Sequence, residues 1–267
     1  MKRSLFVFLI IIIWASFVNA SIVTKHFRKG FNFIEGSNVS IKSINGSINV
    51  DVWEKDSVRV EALIEVKSRS SRDAKEFLDQ VEIVVNRMGR NLEIEPDYPK
   101  VRGGNSILDW IFGRRRPNVT IRFNVLVPRK VNLDLKSVNG RVVVDGVEGD
   151  QKFKTTNGVI DAENLKGSVY ARTTNGGIRV EMVGFNRGAQ VSISTTNGGI
   201  KLSLPDKIQA DVEASTVNGG ISTDFPLQVK GKFNSKRING SINGGGSLIK
   251  LRTVNGSIKI YKSRQQQ

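Results

Sequence analysis

The chain has no cysteine, one histidine, six prolines and 7% aromatic residues in 267 positions. Without cysteine there is no disulfide, no thiolate metal site, no cysteine nucleophile and no lipid attached through an N-terminal cysteine. The one histidine, His26, stands in KHFRKGF near the start of the mature chain. The sequence reads as a mobile terminus there, whereas an imidazole relay needs a rigid scaffold, so catalysis is not expected at this position. No Gly-x-Ser-x-Gly elbow and no GxxxxGK[ST] phosphate loop occurs. After residue 18 no stretch is apolar enough to cross a bilayer.

What is present begins with MKRSLFVFLIIIIWASFVNA, a basic start followed by an apolar run from Leu5 to Val18, with Val18 and Ala20 placed for cleavage after Ala20. Residues 1–20 therefore read as a secretory signal, an uncleaved membrane anchor being the alternative, and the protein as exported: periplasmic, secreted or at the cell surface. Lys plus Arg number 41 against 25 Asp plus Glu, a formal charge of +16 that falls to +14 once Lys2 and Arg3 are removed. The excess is spread evenly along the chain. A diffuse positive field on an exported protein favours an anionic envelope partner (acidic glycan, wall polymer or lipid head groups) over nucleic acid.

Asparagine-glycine pairs recur at Asn139, Asn157, Asn175, Asn197, Asn218, Asn239 and Asn255, with a period near 20 residues. The third residue after each Asn is always β-branched: Val142, Ile160, Ile178, Ile200, Ile221, Ile242 and Ile258. Two before it stand Ser137, Thr155, Thr173, Thr195, Thr216, Arg237 and Thr253, and four before it Leu135, Phe153, Ala171, Ile193, Ala214, Ser235 and Leu251. Even offsets on both sides are strand alternation, so each repeat is strand, Asn-Gly corner, strand and a variable return. Repeats of this length predict an all-β, single-stranded parallel β-helix, or β-solenoid, in which equivalent strands pair and like residues stack. In that fold the seven Asn form a structural turn ladder, each Gly taking a left-handed conformation and each amide bonding its neighbours, while the inward Ser and Thr fill the space beside the corner. An antiparallel meander closed by type I′ turns is the competing expectation. The last coil, LRTVNGSIKIYK with its polar tail SRQQQ, is expected to blunt the exposed end.

A further copy, NVSIKSINGSINV, sits at residues 38–50, 94 residues upstream of Asn139. Between the two, SRSSRDAKEFLDQV offers Ser70 or Ser71 as helix N-cap and Ala74, Phe77, Leu78 and Val81 at helical spacing. The chain thus divides into residues 21–130, strand-rich with one short α-helix and an Arg-rich loop, and residues 131–267, the solenoid repeats, the two expected to be continuous as one domain.

GSINVDVWEKDSVRVEA, the helix, the hairpin around RMGRNLEIE, FNVLVPRKVNLDLKSVNGRVVVDGVEG and the TTNG coils together resemble the bacterial "putative adhesin" domains of unknown function, a β-solenoid family of strand, Asn-Gly, strand repeats. The likeness spans about residues 38–259. It implies an exported or membrane-associated parallel β-helix with no established catalytic residues. The basic surface and the loop from Pro96 to Asn118 depart from the pattern.

Parallel β-helices also carry carbohydrate-active enzymes, which need carboxylates converging on one face. Asp134, Asp145, Asp161, Asp211 and Asp224 stand at different offsets from their corners, so they read as solvated charge and the protein as non-enzymatic, with no cofactor and no metal. Sequons at Asn45, Asn118, Asn239 and Asn255 are by-products of the repeat. The most irregular stretch, SILDWIFGRRRPN, sets Trp110 and Phe112 beside Arg114, Arg115 and Arg116. It reads either as a cap on one end of the solenoid or as a contact for an anionic membrane or a protein partner. The functional expectation is a surface binding and scaffold module that displays Lys154, Arg172, Arg179, Lys201 and Lys250 to a repetitive anionic polymer. A β-helical carbohydrate-active enzyme and an envelope-stress component that binds a protein partner are the alternatives.

Overall fold

The computed structural model describes residues 21–99, 117–186, 188–229 and 235–263. The expected signal (1–20) and the Trp110 to Arg116 loop lie outside these residues. The chain opens with strand β1 (Ser21–Asn32), then an arm pair, β2 (Asn38–Lys42) and β3 (Ile48–Val52), and a long strand β4 (Ser57–Ser68). Helix α1 (Ser71–Gln80), strands β5 (Glu82–Met88) and β6 (Asn91–Asp97) and long strand β7 (Asn118–Val127) follow. Arm pairs come next: β8 (Asn132–Lys136) with β9 (Val142–Asp145), β10 (Gln151–Lys154) with β11 (Ile160–Lys166), β12 (Val169–Arg172) with β13 (Ile178–Gly184), and β14 (Val191–Asn197) with β15 (Ile200–Leu204). The chain closes with β16 (Ala210–Ser215), β17 (Ile221–Thr223), β18 (Gln228–Val229), β19 (Arg237–Ile242), β20 (Ser247–Asn255) and β21 (Ile258–Lys262).

Two long sheets result. Each coil places its first arm in an eleven-stranded sheet, ordered β18-β19-β16-β20-β14-β12-β10-β8-β2-β6-β5, and its second arm in a ten-stranded sheet, ordered β1-β4-β7-β3-β9-β11-β13-β15-β21-β17. Equivalent arms pair in parallel and in register, as in Ile160↔Ile178 and Phe153↔Ala171. This is the solenoid arrangement, and it excludes the antiparallel meander for the repeats. Alternation buries one row from each sheet: Ile48, Val142, Ile160, Ile178, Ile200, Ile258 and Ile221 stack in one, and Ile41, Leu135, Phe153, Ala171, Ile193, Leu251 and Ala214 in the other. At about 1.5–3 kcal/mol for each buried large aliphatic or Phe side chain, these rows dominate the stability.

The upstream copy is the first coil. The described part of the insertion between β3 and β8 is an excursion that adds β6 to β2 and β7 to β3 in parallel on the far side of this coil, so that Asn45 still bridges directly to Asn139 and Ile41 pairs with Leu135. The excursion closes that end of the core. β7 runs parallel to β3 and antiparallel to β4, β1 is the outer edge, and Ala74 and Leu78 of α1 are buried behind the Ser70 cap, whose hydroxyl accepts from Asp73 N. His26 is therefore held in a strand, opposite Leu63, rather than in a mobile terminus, because β1 pairs along its whole length with β4.

At the far end the order departs from the sequence. The last coil, β20 and β21, does not end the stack; it lies between β14/β15 and β16/β17, and Asn255 bridges to Asn218. The edge is instead β19 with β18, antiparallel to their neighbours. Asn239 consequently forms no coil corner: it lies within β19, opposite Glu213. The polar Arg237 and Ser235, at offsets where the other repeats carry small or apolar inward residues, are the local reason.

Candidate anion-binding groove

Three kinds of contact fix the corners, the third made only where the inward residue is Thr, since the buried hydroxyls of Ser43 and Ser137 make no hydrogen bond among the described residues. The Gly N–H donates to the Asn carbonyl of the next coil, as from Gly158 to Asn175 at 3.0 Å. The Asn side chains form one continuous amide chain, Asn45–Asn139–Asn157–Asn175–Asn197–Asn255–Asn218, with Nδ2 to Oδ1 distances of 2.7–2.8 Å. The inward Thr hydroxyls do more than fill space. Thr155, Thr173, Thr195, Thr253 and Thr216 donate to the carbonyls of Gly140, Gly158, Gly176, Gly198 and Gly256 at 2.9–3.3 Å. The corner glycines are also required for a different reason than expected. A Cβ on Gly158 would lie 1.9 Å from the Gly140 carbonyl oxygen, and on Gly140 1.8 Å from that of Gly46, whereas neither residue needs positive φ; Gly46, at φ +117, does. Close backbone stacking, rather than left-handed geometry at every corner, selects glycine.

In-register stacking sets outward side chains in rows as strictly as inward ones. The third position before each corner Asn gives Lys42, Lys136, Lys154, Arg172, Ser194, Arg252 and Ser215 on successive strands, and antiparallel β19 adds Arg237 opposite Ser215. Electrostatically this row has two halves. Lys42 is paired with Glu93 and with Glu95 (3.1 Å), and those hydrogen bonds raise its pKa, Glu93 contributing most. Lys136 meets Asp134 at 2.8 Å, and Lys154 lies 5.5 Å from the Tyr170 ring centroid. In the second half Arg172, Arg252 and Arg237 are exposed and have no carboxylate partner among the described residues.

Around those arginines the outer face of the eleven-stranded sheet forms a groove of about 830 Å³. Its charged lining is Arg172, Arg237, Lys250 and Arg252 against Glu213 alone, a surplus of three positive charges. Glu213 is taken up by Lys250 at 3.3 Å. The rest of the lining includes Tyr170, Ser192, Ser194, Ser215 and Asn239.

Of the display residues expected from sequence, Lys154, Arg172 and Lys250 share this face, while Arg179 and Lys201 are neighbours on the other sheet, with Arg179 3.7 Å from Asp161. Arg252 was legible as the −3 partner of Arg172, but Arg237 was not, because β19 runs antiparallel and breaks the phase. The five aspartates are dispersed over both sheets and each is engaged structurally: Asp134 with Lys136, Asp145 with Asn164, Asp161 with Arg179, Asp211 with Ser241, and Asp224 with the Lys262 N–H. Among the described residues no three His, Asp or Glu side chains are grouped to hold a metal ion, and no helix is long and apolar enough to cross a membrane.

Known proteins can be set beside this geometry. No curated protein matches the sequence. A solved structure described as a putative cell adhesion protein from Clostridium sporogenes ATCC 15579 aligns over 90% of this chain and 100% of its own, with 16% identity and a TM-score of 0.52, a likeness of fold. A putative adhesin from Bacteroides fragilis NCTC 9343 aligns over 90% of this chain and 97% of its own at 12% identity and a TM-score of 0.39. Residues 116–261, more than half of the chain and all of the repeats from β7 onward, match the family described as Toastrack DUF4097, and the chain belongs to that family.

Proposed function

We propose that this protein is an exported, non-catalytic surface-binding module that holds an anionic envelope polymer against the outer face of its eleven-stranded sheet. The observation that carries the reading is the row Arg172, Arg252 and Arg237, aligned by backbone register on one groove without carboxylate partners among the described residues. Backbone ladders on both sides fix these strands, so little backbone ordering entropy is lost on binding. Individually weak exposed contacts then add along a repetitive ligand. The dispersed, structurally engaged aspartates favour binding over glycoside cleavage. The name of the Clostridium structure, a putative cell adhesion protein, points the same way.

The test is co-sedimentation of the purified protein with membrane and wall-polymer fractions of the producing organism, at about 0.01 M and about 1 M salt, where the Debye length is roughly 30 Å and 3 Å. Binding at low salt that vanishes at high salt, and that the R172S/R237S/R252S variant lacks, is expected. Equal sedimentation of wild type and variant, or no binding to either fraction at low salt, would overturn the reading.

A further inference from the structure

The second half of the cationic row does not carry charge at every strand. Arg172 pairs with Ser194, Ser194 with Arg252, Arg252 with Ser215 and Ser215 with Arg237, so arginine and serine alternate across β12, β14, β20, β16 and β19. Interstrand steps of about 4.8 Å put the arginines roughly 9.6 Å apart, and the serines midway. A polyanion laid along this row meets a cation at every second step and a hydroxyl at the steps between. One row away lie Tyr170, Ser192, Lys250, Glu213 and Asn239 on the same strands.

Three features decide what such a row recognises. A sugar ring in an extended chain advances by about one interstrand step, so two sugars match the arginine repeat. Glu213, ion-paired with Lys250 at 3.3 Å, lies beside the row as the groove's one carboxylate and has lone pairs left to accept hydrogen bonds from neutral hydroxyls. Tyr170, half-buried with Lys154 Nζ 5.5 Å from its ring centroid, is the one aromatic side chain of the lining, and no contiguous apolar patch that would enter a bilayer lines the groove. We infer that the groove binds a linear acidic polysaccharide carrying one anionic group per disaccharide, with its acid groups on Arg172, Arg252 and Arg237 and its neutral sugars over Ser194 and Ser215. This inference deepens the proposed surface-binding function and rests on it.

The experiment measures binding of the full protein at low salt to three polymers: hyaluronate, with one carboxylate per disaccharide; polygalacturonate, with one per sugar; and poly(glycerol phosphate). Two variants are compared. R252S removes the central cation; S194R/R252S restores the charge one strand away, leaving the cations one strand and three strands apart. The expected result is preference for hyaluronate at equal total charge, weakened roughly three- to tenfold by R252S and not rescued by S194R/R252S. Circular dichroism confirms that both variants fold, as expected for substitutions at outward-facing positions, Arg252 exposed and Ser194 half-buried. Equal binding of all three polymers, with the double variant equal to wild type, would sink the spacing inference and leave the surface-binding reading standing. No binding of any polyanion would sink both.

Discussion

Replacing Gly158 with alanine probes why the corners carry glycine. The new Cβ would lie 1.9 Å from the Gly140 carbonyl oxygen, 2.7 Å from its carbon and 2.9 Å from Thr155 Oγ1, whereas the φ of Gly158 imposes no glycine-only requirement. Relief demands that two coils separate by about an ångström, since nonbonded carbon and oxygen need roughly 3 Å. The bonds joining those two coils beside the corner, Gly140 N to Asn157 O, already 3.2 Å, and Val142 N to Val159 O, 3.0 Å, cannot stretch so far and persist. Losing one or both, at about 0.5–1.5 kcal/mol each, on top of about 1–3 kcal/mol for overpacking, gives a destabilisation near 3 kcal/mol. For a chain of this size that lowers Tm by roughly 6–12 °C. The control is Gly220→Ala, one residue further past a corner, where a Cβ meets nothing within 4 Å. There a slight gain of up to about 1 kcal/mol is expected from the less flexible unfolded chain. Thermal and urea unfolding of the two variants side by side decide the matter. If Gly158→Ala lowers Tm by no more than Gly220→Ala does, coil stacking is not what selects the corner glycine.

Asn175→Ala deletes one donor and one acceptor of the amide chain and should cost about 1–2 kcal/mol, while Asn239→Ala, the same dipeptide outside the ladder, should stay within about 0.5 kcal/mol; urea midpoints distinguish them. Deleting residues 247–267 should release more than a terminal repeat, because β16, β17 and β19 reach the stack only through β20 and β21. Hydrogen exchange should then show residues 210–223 and 237–242 losing protection while β8 to β13 keep it; a protected β16 would mean that it had repacked on β14. Burial pushes the Tyr98 hydroxyl pKa up, partly offset by a hydrogen bond with the Ile44 backbone. The folded state therefore prefers the neutral phenol, and its contribution is present below the unfolded value of about 10 and lost as pH rises above it. The fall in urea midpoint above pH 10 should be shallower in Tyr98→Phe, and an unchanged slope would refute the assignment.

Much of the fold was legible because each repeat states its own local structure. Ile160, Ile178 and Ile200 announce inward arms, the Asn-Gly pairs announce corners, and Ser70 with Ala74 and Leu78 announces the helix, all within a dozen residues of sequence. The candidate groove was legible only in part. Arg172 and Arg252 share an offset that can be read off the chain, but their neighbour Arg237 reaches the row through a reversed strand.

The sequence by itself determined the strand alternation, the corner residues and the parallel pairing of like with like, since these follow from backbone period and side-chain size. Which coil lies next to which was decided only in three dimensions. The coils at Asn197 and Asn255 bury nearly the same inward residues, Ile193 and Leu251, Ile200 and Ile258, so the local pattern scarcely distinguishes their order. Long-range closure goes with it: β4, β7 and α1 lie at one end, and at the other β19 runs antiparallel on β16 while the final coil sits between β14/β15 and β16/β17. The same insertion brings Arg252 between Arg172 and Arg237, so the charge spacing that distinguishes the groove belongs to the tertiary structure.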